Sequence, residues 1–302
     1  MGPHGLSRSA PPAGEEPAVW PTEHLYGLSD LPVAERRRID IGTERVARAR
    51  LSEDGERLTD VRVLAEGVNR RIAFAPDGTL FVTGADRFRF YGTDLDGVDH
   101  ELPLGSRRLY SGRVVRITTD GAPAEGNPFL DDPTVPAATF SFGHRDPEGA
   151  AIHPETGALW TIEHGPMGGD EVNIIRPGGD YGWPNVSYGR QYSGDPVAEG
   201  RTAADGVEQP VYFWVPSIAP CGLMFYTGDL FPEWRGNLFV GALAGRHLAR
   251  FVLDGDRVVA EEKLLTEQGE RIRHVRQGPD GALYVLTDSG SLLRITPGDG
   301  SS

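Results

Sequence analysis

Three glycine-rich stretches concentrate the residues able to do chemistry: Gly143-His-Arg-Asp-Pro-Glu-Gly149, Glu163-His-Gly-Pro-Met-Gly-Gly-Asp-Glu171 and Gly178-Gly-Asp-Tyr-Gly-Trp-Pro184. Glycine at this density lets backbone approach a ligand closely. Carbonyl oxygens and a few carboxylates from such loops can converge on a hard cation, and Ca²⁺ takes about six to eight oxygens in flexible geometry. Asp170, Glu171 and Asp180 are the candidate acids. Ordinary acidic turns of an acidic protein account for the same spacing, so spacing alone leaves both readings open. His144 and His164 lie in these stretches but lack the paired helical spacing of a zinc site, and a loop histidine more often caps a turn. Arg271 and Arg273 alternate along an expected strand, so both guanidiniums face one side and suit bidentate capture of carboxylates. The structural alternative is a solvated face pairing with Glu267 and Glu270. Cys221 is the only cysteine, which rules out an intrachain disulfide, and its aliphatic neighbours suit a small buried hydrophobe. No Gly-x-Ser-x-Gly elbow, Walker loop or Rossmann fingerprint occurs.

The elements that must position these loops are short strands. One phrase recurs at Ile72–Thr83, Ala151–Ile162 and Arg276–Leu286, with a degenerate copy at Trp234–Val240. Each copy is read as a strand, a Pro-Asp-Gly or Pro-Glu-Thr-Gly turn and a second strand of β-branched and aromatic residues, which predicts a hairpin. Further strand signals lie at Arg113–Ile117, Glu171–Ile175, His247–Val252 and Ser291–Ile295. Hairpins repeating with partner strands predict an all-β propeller, whose blades cannot bury their faces alone. A β-sandwich is the rival fold, but it does not explain the recurring turn phrase. The uneven intervals between copies leave room for about five blades.

Composition agrees. Gly (40) and Pro (24) make up about a fifth of the 302 residues, against an average of roughly 12%, which favours turns over long helices. A formal charge of −14 repels polyanions, so no nucleic-acid partner is expected. No stretch reaches the roughly 18 apolar residues of a transmembrane segment, and the first residues lack a signal-peptide core, so the expectation is a soluble chain without an export signal. Residues 1–22 and 297–302 read as disordered tails around a propeller domain spanning 23–296.

The three stretches, followed by Gln191-Tyr-Ser-Gly194, Val211–Pro220, Phe239–Leu243 and Gln268–Arg273, resemble the soluble PQQ-dependent aldose (glucose/sorbosone) sugar dehydrogenases. The likeness is strongest over 141–194 and extends more weakly back to about Gly42. It implies a six-bladed propeller that binds PQQ and Ca²⁺ above its channel and oxidises an aldose at the anomeric carbon to a lactone. It also implies a small-molecule sugar substrate, an external electron acceptor, and a periplasmic or extracellular location. Arg145 and Asp146 fall on the family's cofactor-contacting Arg-Asn pair, Tyr192 on a cofactor-lining tyrosine, and Arg271 and Arg273 on its carboxylate-binding arginines. Because PQQ is a tricarboxylate, arginines suit it. Gly165 and Pro166 match positions whose carbonyls hold the cofactor-linked calcium, while Glu171 and the Tyr181 carbonyl match a calcium site of bacterial members.

The sequence also departs from that pattern. Gly67 stands where the family's catalytic histidine would be, so no catalytic residue is assigned; His24 and His100 are the weak substitutes. Asp146 replaces an asparagine, the loop Gly84–Gly92 differs from the family's Leu-Gly-Asp loop, and the family's first blade has no counterpart before about residue 40. A missed upstream start, a decayed gene and a rebuilt ring, with homodimerisation as one way to close it, all remain open. The alternative function is a non-catalytic propeller that binds a sugar, metal or protein partner; a metal-dependent lactone hydrolase is a third reading by fold analogy.

Overall fold

The computed structural model describes residues 45–66, 68, 70–86 and 110–298. Gly67, His24, His100, most of the 84–92 loop, the 1–22 tail and residues 299–302 lie outside them. The described residues form antiparallel sheets joined by loops and short 3-10 turns, and no helix among them is long and apolar enough to cross a membrane.

Sheet order follows chain order. β1 (Arg45–Leu51) and β2 (Leu58–Glu66) make a two-stranded sheet. β3 (Ile72–Phe74), β4 (Leu80–Thr83), β5 (Val114–Ile117) and β6 (Thr139–Ser141) make a four-stranded meander. A second comprises β7 (Pro147–Ile152), β8 (Leu159–Glu163), β9 (Asp170–Ile175) and β10 (Tyr212–Trp214). A third comprises β11 (Pro220–Phe225), β12 (Leu238–Ala242), β13 (His247–Asp254) and β14 (Arg257–Leu264). β15 (Ile272–Gln277), β16 (Leu283–Thr287) and β17 (Leu292–Ile295) complete the set as a three-stranded sheet. The leading strands β3, β7, β11 and β15 touch one another in that order. Leading strands at the axis with meanders running outward are blades, and the fold is a β-propeller. The described residues form five sheets, the first of them only a hairpin.

Burial follows from this stacking. Strands enclosed on both faces by neighbouring blades are buried throughout, as every residue of β8, β11 and β12 is. The outermost β14, Arg-Val-Val-Ala-Glu-Glu-Lys-Leu, has no buried residue. Trp160, Leu223, Phe225, Leu238 and Phe251 fill the space between the second and third meanders, where the Trp160 and Phe225 rings meet edge-on at 5.5 Å. Met224, Phe239, Ile272, Leu283 and Val285 do the same between the third and the last.

All three full copies of the repeated phrase close hairpins, as expected: β3 with β4, β7 with β8, and β15 with β16. The degenerate copy does not. Trp234 ends a 3-10 turn, and β12 pairs with β11, which begins 14 residues before Trp234 at Pro220. At Gly222 the register of β11 slips, and φ is +75°. A side chain there would place Cβ 2.9 Å from Cα of His274 on β15, so two leading strands approach closely at this bulge. Gly222→Ala is expected to destabilise the protein by about 1–3 kcal/mol through combined strain and overlap, measured by urea denaturation; an unchanged midpoint would mean the axis is not packed this tightly.

Candidate active site at the leading ends of the inner strands

Glu163, the last residue of β8, is buried and organises the segment that leads into β7. Its Oε2 accepts the Arg145 N–H at 2.8 Å, and Oε1 faces His144 Nδ1 at 3.1 Å and accepts Asn173 Nδ2–H at 2.9 Å. Burial alone would raise this carboxyl, but His144, the Arg145 amide and Asn173 outweigh it and hold it below the usual carboxylate range. His144 is fully buried, bonded to Ser141 Oγ through Nε2 and stacked on Tyr181 at 4.5 Å, so it braces the loop. Arg145 is thereby aimed across the Trp183 ring at 5.4 Å and donates to the His164 carbonyl at 2.7 Å. Burial pushes the Arg145 guanidinium down, opposed by Tyr192, Asp146 and Glu163. Trp183 Nε1 donates to Asp86 at 3.1 Å, and the Asp86 amide donates to the Arg145 carbonyl, which ties the 84–86 turn into the same site.

Asp170 corrects one expectation. Its Oδ1 accepts Gly165 N–H at 3.0 Å, while Oδ2 accepts Ser217 Oγ–H, Ile218 N–H and Ala219 N–H at 2.7, 2.8 and 2.9 Å. With both oxygens occupied, Asp170 anchors two loops rather than serving as a cation ligand. Asp180 caps the Gly182 amide at 2.8 Å and is likewise a turn residue. His164 Nε2 donates to the Pro220 carbonyl at 2.9 Å, which joins the second and third meanders. Gly165 lies in a turn so tight that a Cβ would sit 2.1 Å from the Gly168 carbonyl oxygen, and only glycine fits. No hydrogen bond among the described residues is donated to the carbonyls of Gly165 or Pro166.

Behind this turn two carboxylates share one amide, since Asn173 Nδ2 also donates to Glu171 at 3.1 Å. Burial first, and then the nearby Glu163 and Asp170 carboxylates, push Glu171 up to about 8. The buried Asn173 Oδ1 has no hydrogen-bond partner. Crowded carboxylates and an orphaned carbonyl-type oxygen form a hard-oxygen donor set that lacks positive charge, and this fits Ca²⁺. No cluster of three His, Cys, Asp or Glu side chains suited to a metal occurs among the described residues.

On the axis, Arg271 and Arg273 converge on a single carboxylate, Asp288, with Nε–O distances of 2.8 Å each. Glu267 and Glu270, the partners weighed from sequence, are not the ones used. Arg71 Nη2 and Arg273 Nη1 approach Cys221 Sγ at 3.2 and 3.9 Å, and Arg71 also bonds the Glu148 carbonyl and carboxylate. Arg70 bridges Asp146 at 2.6 Å and Glu148 at 3.4 Å. Burial raises the Cys221 thiol despite Arg71 and Arg273, so it remains a protonated, enclosed thiol. Tyr192 is 67% exposed at the rim, within electrostatic reach of Arg145, and Tyr181 turns inward, its hydroxyl donating to the Ile174 carbonyl at 2.5 Å.

Residues 33–294 match the family model described as glucose/sorbosone dehydrogenase. The chain belongs to this family. It is 38% identical over 321 residues to the aldose sugar dehydrogenase YliI of Escherichia coli strain K12, covering 97% of this chain and 82% of that protein. Among solved structures, the apo form of the soluble aldose sugar dehydrogenase from E. coli superposes with a TM-score of 0.73 at 38% identity, covering 85% of this chain and 73% of that one. The PQQ-bound form of the aldose sugar dehydrogenase from Streptomyces coelicolor superposes with a TM-score of 0.60 at 26% identity, covering 83% and 70%. As a glucose/sorbosone dehydrogenase family member the chain is an oxidoreductase of the sugar dehydrogenase type.

Family membership adds nothing to the residues that sequence reasoning missed, which are Glu163, Asn173, Arg70, Arg71, Glu148, Trp183 and Asp288. Glu148, Glu163 and Trp183 lie within the stretches singled out from sequence without a role assigned to them, and Asn173 lies two residues beyond Glu171 and so on the same face of β9. The raised Glu171 carboxyl has a consequence for stability. Between its ordinary value of 4.5 and about 8, the folded protein keeps a proton that the unfolded chain has lost, so this group's contribution to stability falls as pH rises. Without Ca²⁺, the melting temperature of Glu171→Gln is expected to gain on that of the parent steadily from about pH 5 to about pH 8. A constant difference across that range would rule out a Glu171 carboxyl held protonated by the fold.

Proposed function

We propose that the chain binds PQQ and Ca²⁺ at the leading ends of the inner strands and oxidises an aldose at its anomeric carbon to a lactone, passing electrons to an external acceptor. The observation that carries this reading is the gathering of Arg70, Arg71, Arg145, Arg271 and Arg273 around the axis of a chain whose formal charge is −14. Among the described residues, Arg70 pairs with Asp146, Arg71 with Glu148, and Arg271 and Arg273 share Asp288. Guanidiniums gathered in this way attract a polycarboxylate.

When bound, PQQ accepts two electrons and the positive charge of Ca²⁺ favours their arrival. The chain's own residues bind and orient. Arg271 and Arg273, held parallel by Asp288, present further N–H groups to ligand carboxylates. Arg145, fixed through its amide by Glu163, lies on Trp183 with its position set before any ligand arrives. Gly165 and Pro166 offer carbonyls, and Glu171 with the Tyr181 carbonyl and Asn173 Oδ1 offers the oxygen set for a cation. Asp146, beside Arg145, and Tyr192 at the rim border the same space. Gly67 has no group able to take a proton, which favours a second reading in which the propeller binds its ligand without turnover.

Titrating Ca²⁺-loaded protein with PQQ, then adding a panel of aldoses, separates the two. Binding followed by bleaching of the quinone on sugar addition supports the dehydrogenase, binding without bleaching supports the silent site, and no binding overturns both. Arg271→Ala and Arg273→Ala are each expected to weaken PQQ binding about tenfold or more, the effect of losing one charge-assisted contact.

A further inference from the structure

We propose that Arg70 is a positioning residue that sets the site's affinity for its anionic cofactor by neutralising Asp146, a proposal that rests on the PQQ reading above. Asp146 is the residue that stands where the family resemblance calls for a neutral asparagine. An uncompensated carboxylate there, electrostatically coupled to Arg145, would offset that guanidinium and repel a tricarboxylate ligand.

The structure supplies the compensation. The Asp146 side chain is only 3% exposed, and its Oδ1 lies 2.6 Å from the Arg70 guanidinium, which is itself 20% exposed. The other Asp146 oxygen is 3.9 Å from His164 Nδ1, and the imidazole is held in place by its bond to the Pro220 carbonyl. Arg70 also reaches Glu148, which Arg71 reaches from its other side. Arg70 and Arg71 are consecutive residues leading into β3, whereas Asp146 and Glu148 are two apart on the strand leading into and forming the start of β7. Two cations on one inner strand therefore lock to two anions on its neighbour. The dependence is one-sided: without Arg70 the buried Asp146 carboxylate loses its offset, whereas without Asp146 the part-exposed Arg70 keeps Glu148. Held this way, Asp146 contributes shape and acceptor oxygens much as asparagine would, without its net charge.

It follows that PQQ affinity tracks the net charge of residues 70 and 146. The test is PQQ titration by absorbance on Ca²⁺-loaded protein at low salt, with melting temperature recorded for every variant. Arg70→Ser, which leaves a net negative pair, is expected to bind PQQ about tenfold or more weakly than the parent. Asp146→Asn, which leaves a net positive pair, is expected to bind more tightly, and the double variant to return to within about threefold of the parent. Arg70→Ser binding like the parent, or the double variant binding as weakly as Arg70→Ser, would overturn the proposal. Should Arg70→Ser fail to fold, Asp146→Asn and the double variant remain comparable, because neither buries an unpaired carboxylate; equal affinity in those two also overturns it. A parent that binds no PQQ removes the cofactor reading itself and this inference with it, a result distinct from binding that ignores the charge of the pair.

Discussion

The site depends on a carboxylate that the fold cannot leave unsatisfied. Glu163 ends a fully buried strand, where an unpaired charge would cost several kcal/mol. Its needs are met by the backbone amide of Arg145, by His144 and by Asn173. In meeting them, the loop before β7 takes one conformation, Arg145 is delivered over Trp183, and Asn173 is turned toward Glu171. Asp170 repeats the device one strand later by gathering four donors from two loops. Both acids sit at the same end of the β8–β9 hairpin, so a structural requirement for hydrogen bonds also aligns the groups that face a ligand.

Electrostatically the molecule is divided. The chain carries a formal charge of −14, while guanidiniums from the segments leading into β3 and β7 and from the start of β15 meet near the axis. Arg70, Arg71, Arg271 and Arg273 are each restrained by an acid, which limits the entropy lost when a ligand arrives and keeps like charges from driving the blades apart. The restraints are incomplete in the useful sense: Asp288 occupies part of two guanidiniums, and each retains further donors.

How much of this could be read from the sequence depended on the range of the interaction. Hairpins at Pro76-Asp77-Gly78, Pro154-Glu-Thr-Gly157 and Pro279-Asp-Gly281 were legible because turn chemistry is local. The degenerate phrase at Trp234 misled because the partner of β12 comes from β11, across an intervening loop and 3-10 turn. The alternation of Arg271 and Arg273 correctly placed both on one side, yet their acid is Asp288, brought alongside by the pairing of β15 with β16 that sets the Asp288 amide against the Arg271 carbonyl. Asp170 looked like a cation ligand because a sequence lists its charge but not the four amides and hydroxyls that consume it. The pairing of Arg70 with Glu148 gave no signal, since an ion pair between blades has no sequence spacing of its own.

The enclosure of Cys221 has a practical side. As the chain's sole thiol, wholly buried and pushed away from its reactive thiolate form, it is shielded from maleimides and similar reagents while the propeller stays folded. One cysteine introduced at an exposed position, such as Asp256 in the turn between β13 and β14, would then be the only addressable sulfur on the molecule. A fluorophore or surface tether could be attached there at single-site stoichiometry without first removing the native residue.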